Sequence, residues 1–217
     1  MENKSYIEIN KDTYNKVAKE LNNRHKKLGK NEPTPKNYYD KIFKYINKNE
    51  KIKYLELGPG DGNVLKYFAN NNIETYAIEN SESMIELCKK QSPNSEIIED
   101  NILNVNFSDN SFDIIFAGSF IHLFPKNDLE LVMNKIYKWL KKDGIFFAYT
   151  TLHEEDQEGY FSKEKSNYLN ENVRFRHRFT KESLSKVFMK HNFSILEHYD
   201  ISEPENDRIW QFIISTK

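Results

Sequence analysis

One cysteine, Cys88, stands in 217 residues. A lone thiol excludes an internal disulfide and any zinc site built on a cysteine cluster, and its place in a helical apolar pattern makes it a packing residue by default. The chain also lacks an excess of charge of either sign: 32 Lys and Arg stand against 33 Asp and Glu, for a formal net charge of −1. Without a global basic field there is little to neutralise a phosphate backbone, so duplex binding is disfavoured, although a local basic patch stays open. No apolar run approaches the roughly 20 residues that cross a bilayer. Residues 1–10 are polar and charged and carry no secretion signal. The expectation is therefore a cytoplasmic protein with no membrane partner.

What the chain has in quantity is aromatic: 15 Phe and 13 Tyr accompany a mean hydropathy of −0.80. That is enough to fill an interior and argues against disorder, and the length suits a single domain over 1–217. The rest can be arranged around residues 54–65, Tyr-Leu-Glu-Leu-Gly-Pro-Gly-Asp-Gly-Asn-Val-Leu. This reads as an apolar strand, a turn carrying Gly58, Gly60 and Gly62, and a helix start. Alternate glycines let the backbone turn sharply and approach a ligand, while the N–H groups of the new helix face an electron-rich partner. A plain turn needs one glycine, not three.

Ahead of that stretch, Tyr14, Val17, Ala18 and Leu21 predict a helix over 12–27, capped by Asp12 or Thr13. Arg24, His25, Lys26 and Lys27 gather at its end, where cations suit the helix dipole; phosphate binding is the other role open to them. Pro33 and Pro35 mark 30–36 as a loop, and a second helix is predicted over 38–47. Beyond the turn a helix continues to about residue 70, and 75–78 form a strand that finishes at Glu79. An acidic residue about 20 positions past a glycine turn, at the end of the next strand, is where a ribose hydroxyl pair is held. An exposed strand-end charge is the alternative. Ser81 caps a helix through Met84, Ile85, Leu87 and Cys88, and residues 96–99 form a third strand followed by Asp100, Asn101 and Ile102.

Glu56-Leu57-Gly58-Pro59-Gly60-Asp61-Gly62, an acidic residue followed by alternating glycines, resembles the first motif of the class I S-adenosylmethionine-dependent methyltransferases. The resemblance extends over most of the chain. It implies an α/β fold: a Rossmann-like seven-stranded sheet in the order 3-2-1-4-5-7-6, with strand 7 antiparallel and helices on both faces. It further implies that Gly58 and Gly60 lie against the methionyl part of the donor, that Glu79 binds the ribose hydroxyls, and that Glu56 and Asn80 also belong to the cofactor site. Asp100, with the backbone of Asn101 and Ile102, would hold the adenine edge. Met84 would pack on the adenine face, with an ordinary core methionine as the alternative. Ala117, Gly118 and Ser119, and Tyr14 from the N-terminal helix, complete the implied cofactor set. The donor is S-adenosyl-L-methionine, the product S-adenosyl-L-homocysteine, and no metal is implied.

Residues 112–117 read as a fourth strand, and the small residues directly after it leave room for a ligand at the sheet's carboxyl end. The resemblance puts the sulfonium and methyl group there. His122 is then close to the chemistry, where a neutral imidazole of ordinary pKa, about 6.5, suits abstraction of a proton from a hydroxyl or amine. A satisfied structural histidine competes with that reading. A helix over 127–142 leads through Asp143-Gly144 into a fifth strand over 145–150.

Residues 152–178 show no clear periodicity and are too long for a plain loop. In the family resembled, insertions after the fifth strand cover the active site and select the acceptor. This divides the chain into an N-terminal helical cap (1–50), a cofactor-binding core (51–151), a substrate lid (152–179), and a closing helix and hairpin (180–217). The lid contributes His153 as a second base and Tyr160, Arg174, Arg176 and His177 as acceptor-binding candidates. Arg174, Arg176 and Arg178 share one face of an extended strand, with Phe175, His177 and Phe179 on the other. Such a row can hold a carboxylate or phosphate bidentately, or pair with the acidic run 154–158 at a solvated edge.

Thr180 caps a further helix, and strands over 194–199 and 208–215 follow as antiparallel neighbours. That hairpin, and Asn63 or Leu65 where a dinucleotide turn needs its last glycine, separate the chain from nicotinamide enzymes. The reading is an enzyme that moves a methyl group in line from S-adenosylmethionine to an oxygen or nitrogen of a small molecule, anionic or a sugar. No nucleic-acid partner is expected, and both monomer and homodimer stay open. An RNA or protein methyltransferase is disfavoured, with no strongly basic appendage and no Asn/Asp-Pro-Pro-aromatic tetrad after the fourth strand. A non-catalytic cofactor-binding module is the remaining alternative.

Overall fold

A computed structural model describes residues 4–28, 36–46, 51–71, 73–162, 173–203 and 208–217. In chain order the helices are α1 (Tyr6–Leu28), α2 (Lys36–Ile42), α3 (Asn63–Asn70), α4 (Glu82–Gln91), α5 (Lys126–Trp139) and α6 (Lys181–Lys190), with a 3-10 turn at Ile121–Leu123. The strands are β1 (Lys53–Leu57), β2 (Glu74–Glu79), β3 (Glu96–Glu99), β4 (Phe112–Gly118), β5 (Leu140–Thr151), β6 (Gln157–Phe161), β7 (Arg174–Arg178), β8 (Ser194–Glu203) and β9 (Arg208–Thr216).

Seven strands form one sheet in the order β3-β2-β1-β4-β5-β9-β8, parallel from β3 to β5, with β9 antiparallel to both its neighbours. This is the order that the resemblance implies; the β6–β7 hairpin forms its own small sheet and only raises the labels of the last two strands. Parallel strands are covered on both faces, and β1 and β4 are accordingly almost wholly buried. Alternate residues of β4 divide between two cores. Ile115 and Ala117 pack with Leu129, Val132 and Ile136 of α5 and Leu184 and Phe188 of α6. Ile114 and Phe116 pack with Ile42 of α2, Leu65 and Phe68 of α3 and Cys88 of α4, so the lone thiol is a packing residue. The sheet reverses direction of progress at β1, between β2 and β4, which opens a crevice at the carboxyl ends of the strands.

Several predicted boundaries move. α1 starts at Tyr6, not at residue 12, because Ser5 and Glu8 form a capping box: Ser5 N donates to Glu8 Oε2 at 2.8 Å and Glu8 N to Ser5 Oγ at 3.3 Å. α2 stops at Ile42, and Phe43 and Lys44 turn back onto Asp40 and Lys41 instead of continuing to residue 47. α5 ends at Trp139: Leu140 already pairs with Phe112, and residues 141–144 form a bulge within β5 before Ile145 pairs with Ile114. The segment 152–178 is more regular than its composition suggests, since β6 and β7 lie within it. The side chains of the basic cluster at 24–27, the loop predicted at 30–35, residues 163–172 of the lid and the link 204–207 fall outside the described residues. No helix among the described residues is long and apolar enough to cross a membrane.

Candidate active site

The glycine turn leaves β1 at Leu57, and Gly58 N donates to Ile78 O of β2 at 3.0 Å. Gly58, Gly60 and Gly62 have φ of 64°, 57° and 79°, a left-handed run that side-chain-bearing residues adopt only with strain. Gly60 has nothing within 4 Å of where a Cβ would stand, so the turn presents bare backbone to open space. At Gly58 the same position is 2.6 Å from Cδ2 of Phe120.

Three carboxylates gather behind the turn. Glu56 is 3% exposed and accepts a bond from Tyr54 Oη at 3.0 Å. Burial pushes its pKa well above the carboxylate range, and Asp61 and Glu79 push it further. Glu79 Oε1 accepts from Asn80 N at 2.9 Å and Ser81 N at 3.0 Å. Burial still outweighs these bonds and another from the Gly60 backbone, raising Glu79 to about 7. Neither Glu56 nor Glu79 has an ion-pair partner among the described residues. Buried carboxyls without a cation, beside an open glycine backbone, fit a ligand that brings positive charge and hydroxyl donors, as S-adenosylmethionine does.

The predicted adenine side is mixed. Met84 is 2% exposed and counts among the buried core hydrophobics, as its alternative reading has it. Asp100 is exposed, and its Oδ1 accepts from Asn101 N at 2.6 Å and Asn104 Nδ2 at 2.9 Å. The Asn101 amide assigned to the adenine edge is therefore taken by its own neighbour. The Ile102 side chain is core.

Two expectations for the end of β4 need correction. Ala117 lies inside the core and offers no surface to the crevice. Gly118 makes room for rings rather than only for a ligand: a Cβ there would be 2.9 Å from both Phe116 Cζ and Tyr149 Cε1. Ser119, at φ 53°, donates its N–H to Tyr149 O at 2.9 Å and bends the chain into the 3-10 turn.

That turn carries His122, 4% exposed, with no hydrogen-bond partner for either ring nitrogen among the described residues. It is thus not a satisfied structural histidine, and neither is its pKa ordinary. Burial drives it well below the usual range, helped by Arg176, Arg174, His153 and His177. His153 is also a poor base, lowered to about 4 by burial and then by Arg178, Arg176 and Arg208. Its Nε2 bonds Thr151 Oγ1 at 2.9 Å, and its ring lines an open groove with Glu154, Glu155 and Arg178.

In the β6–β7 hairpin the register pairs Phe161 with Arg174, Gly159 with Arg176 and Gln157 with Arg178, so these six share a face. Arg174 Nη1 donates to Tyr14 Oη at 3.1 Å, which ties Tyr14 to the hairpin. Arg178 covers the Phe161 ring at 3.7 Å. Tyr160 and His177 stand on the opposite face. Tyr160 is 53% exposed, and His177 is buried, its ring tilted against Phe179 with centroids 3.9 Å apart and its Nε2 3.2 Å from Asp156 Oδ1. Within the acidic run, Asp156 pairs with His177 and Lys126, and Glu158 accepts the Lys126 N–H.

A methyltransferase-domain family model matches residues 55–148, from within β1 to within β5. An uncharacterized methyltransferase of Oceanobacillus iheyensis is 25% identical over 185 residues, covering 83% of this chain and 84% of the relative. The chain thus carries a methyltransferase domain over residues 55–148 and is similar to S-adenosylmethionine-dependent methyltransferases. A ribosomal RNA small subunit methyltransferase A of Mycoplasmopsis synoviae is 33% identical over 119 residues, which span 54% of this methyltransferase and 44% of that relative. A crystal structure of a SAM-dependent methyltransferase from Methanosarcina mazei shares the fold at a TM-score of 0.69 and 18% identity, over 81% of this chain and 96% of that one.

The methyltransferase also brings in residues that sequence reasoning missed. Tyr149, opposite Gly118 in the β4–β5 register, is raised to about 12 by burial and by Glu56, and bonds Ser119. Tyr39 of α2 is raised well above its usual value by burial, then by Tyr149, Glu56 and Asp61. Like the Tyr54 hydroxyl, which bonds Glu56, they are electrostatic neighbours of that carboxyl. A glycine within a strand signals close approach of another group, and Gly118 carried that signal for Tyr149.

Proposed function

We propose that this methyltransferase acts on an oxygen or nitrogen of a small molecule, bound between the 3-10 turn, α1 and the β6–β7 hairpin. One observation carries the reading: α1 ties the cofactor side to the lid. Asn15 Oδ1 accepts from Ser81 Oγ at 2.7 Å and Ser83 N at 3.1 Å, while Asn10 Oδ1 accepts from Phe175 N at 2.8 Å. A crevice roofed in this way suits a ligand that can be enclosed. The relative that acts on ribosomal RNA matches less than half of its own length, so its acceptor does not carry over.

Glu56, Gly58, Gly60 and Glu79 would hold the donor, which supplies an electrophilic methyl on a positively charged sulfur. The chain's own contribution is alignment. Charge disperses as the methyl moves, so the rate gain comes from holding acceptor, methyl and sulfur in line with water excluded. Tyr39, Tyr149 and Phe120 exclude water around the turn. Neutral His122 orients the acceptor by a hydrogen bond and takes a proton only from an acidic one. Calorimetry with S-adenosylmethionine, followed by a screen for S-adenosylhomocysteine release against hydroxyl, amine and acidic metabolites, tests the reading. Turnover confined to RNA would replace it, and binding without turnover would leave a silent module.

A further inference from the structure

Arg176 lies mid-strand in β7, opposite Gly159 of β6, so no side chain of β6 covers its stem. It is half-buried and makes no ion pair among the described residues. Burial and then Arg174, Arg208 and Arg178 lower its pKa to about 10, opposed by the Tyr14 hydroxyl alone. These neighbours are engaged: Arg174 with Tyr14 at 3.1 Å, Arg178 with Phe161 at 3.7 Å, and Arg208 with Glu203 at 3.3 Å. Asp156 is engaged by His177 and Lys126, and Glu203 by Arg208 and Trp210. Of the charges that act on His122, that of Arg176 is the strongest, and both ring nitrogens of that buried imidazole lack partners among the described residues.

A desolvated guanidinium without a counter-ion is costly, and its planar fork matches a carboxylate or phosphate. We propose, building on the small-molecule reading above, that the acceptor carries an oxyanion which docks on Arg176 and the His122 imidazole, as a handle distinct from the atom that receives the methyl group. The distinction follows from the reaction's charge. Were the docked oxyanion itself methylated, its charge and its attraction to Arg176 would fade together in the transition state, and the arginine would oppose the reaction. A spectator anion keeps the attraction throughout, which is binding energy that lowers KM rather than raising kcat.

The test is calorimetry on protein saturated with S-adenosylhomocysteine, using benzoate, phenyl phosphate and the neutral benzamide as probes. Wild type should bind one of the two acids more tightly than the amide, and which acid wins tells a carboxylate handle from a phosphate handle. Arg176→Gln should weaken that acid roughly tenfold or more, about 1.4 kcal/mol, and leave the amide alone. Arg176→Lys, which keeps the charge and loses the fork, should fall between them. Unchanged S-adenosylhomocysteine affinity in each variant shows that the fold is intact. Equal binding of acids and amide, binding of no probe, or an unaffected Arg176→Gln each overturns the handle while the donor site stands. Failure of wild type to bind S-adenosylhomocysteine falls instead on the methyltransferase reading. With an acceptor in hand, Arg176→Gln should raise KM; a rise in kcat would show that the docked oxyanion is the nucleophile and overturn the proposal.

Discussion

The ring of Phe120 lies across Gly58, so close that a Cβ on the glycine would stand 2.6 Å from the ring's Cδ2. The turn after β1 and the segment after β4 therefore meet face to face where the donor's methionyl end is expected. Gly58→Ala faces two penalties, the clash and a φ of 64°. Left-handed backbone alone costs about 1–2 kcal/mol. The variant should melt lower and bind S-adenosylmethionine weakly. Adding Phe120→Ala should relieve the clash but not the backbone strain, giving partial recovery of melting temperature. A Gly58→Ala protein with wild-type melting and affinity would show that the turn tolerates a side chain.

Glu79 sets a pH dependence whose sign follows from its surroundings. Its folded pKa, about 7, stands above the ordinary glutamate value. The folded carboxyl holds its proton more tightly than the unfolded one. Its stabilising share is therefore complete below about pH 4.3 and is lost as the pH rises through the folded value. In the unliganded protein, Glu79→Gln should remove this loss, so the variant gains on wild type in melting temperature between about pH 5 and pH 8. Cofactor binding should respond the other way. Ribose hydroxyls donate best to an ionised carboxylate, so wild-type affinity should rise over the same window with release of protons, and Glu79→Gln should show neither effect. Titrations in buffers of different ionisation enthalpy read the proton count; a flat wild-type affinity would remove the ribose role.

The cofactor half was legible because its chemistry is local. Three glycines at alternate positions, and a carboxylate at the end of the following strand, state their purpose within one βαβ unit. The closing hairpin was legible for the same reason. The start of α1 was also written locally, as Ser5-Tyr6-Ile7-Glu8, but a capping box outside the apolar periodicity is easily passed over. Other features are products of packing. Nothing near His122 in sequence indicates that Arg174 and Arg176, more than fifty residues on, will press on its charge. Burial then depresses it, and sequence supplies no measure of burial. Tyr39 and Tyr149 meet Glu56 only once α2 and β5 flank the same sheet.

His122 should matter to turnover without acting as a titrating base near neutrality. Its imidazole is neutral across the working range because burial and the surrounding cations hold its pKa down. His122→Phe keeps the bulk and removes both nitrogens. It should raise the acceptor KM through the lost oxyanion contact and lower kcat by roughly tenfold through lost orientation of the acceptor, while S-adenosylmethionine affinity stays close to wild type. The wild-type rate profile should show no limb near the ordinary imidazole value of about 6.5. A limb there that vanishes in His122→Phe would restore the simple base, and full activity in the variant would remove the residue from the chemistry.

Asn10 and Asn15 sit about one turn and a half apart on α1 and hold different partners, which makes the two ties separable. Asn10 is buried; beyond accepting from Phe175 N it donates to Leu123 O at 3.3 Å and Phe175 O at 3.4 Å. Asn10→Ala leaves a buried N–H on β7 without a partner, an omission worth about 1–3 kcal/mol. It should lower the melting temperature and raise the acceptor KM. Asn15 is half-buried and also donates to Glu82 Oε2 at 2.7 Å, so its partners can turn to water and Asn15→Ala should cost less stability. Its effect should fall on the first turn of α4, beside Glu79, and appear as weaker S-adenosylmethionine binding. Hydrogen exchange separates the two: faster exchange at Phe175 in Asn10→Ala, and at Ser83 and Met84 in Asn15→Ala. If either variant loosens both regions equally, α1 moves as one rigid latch, and acceptor and donor sites open together.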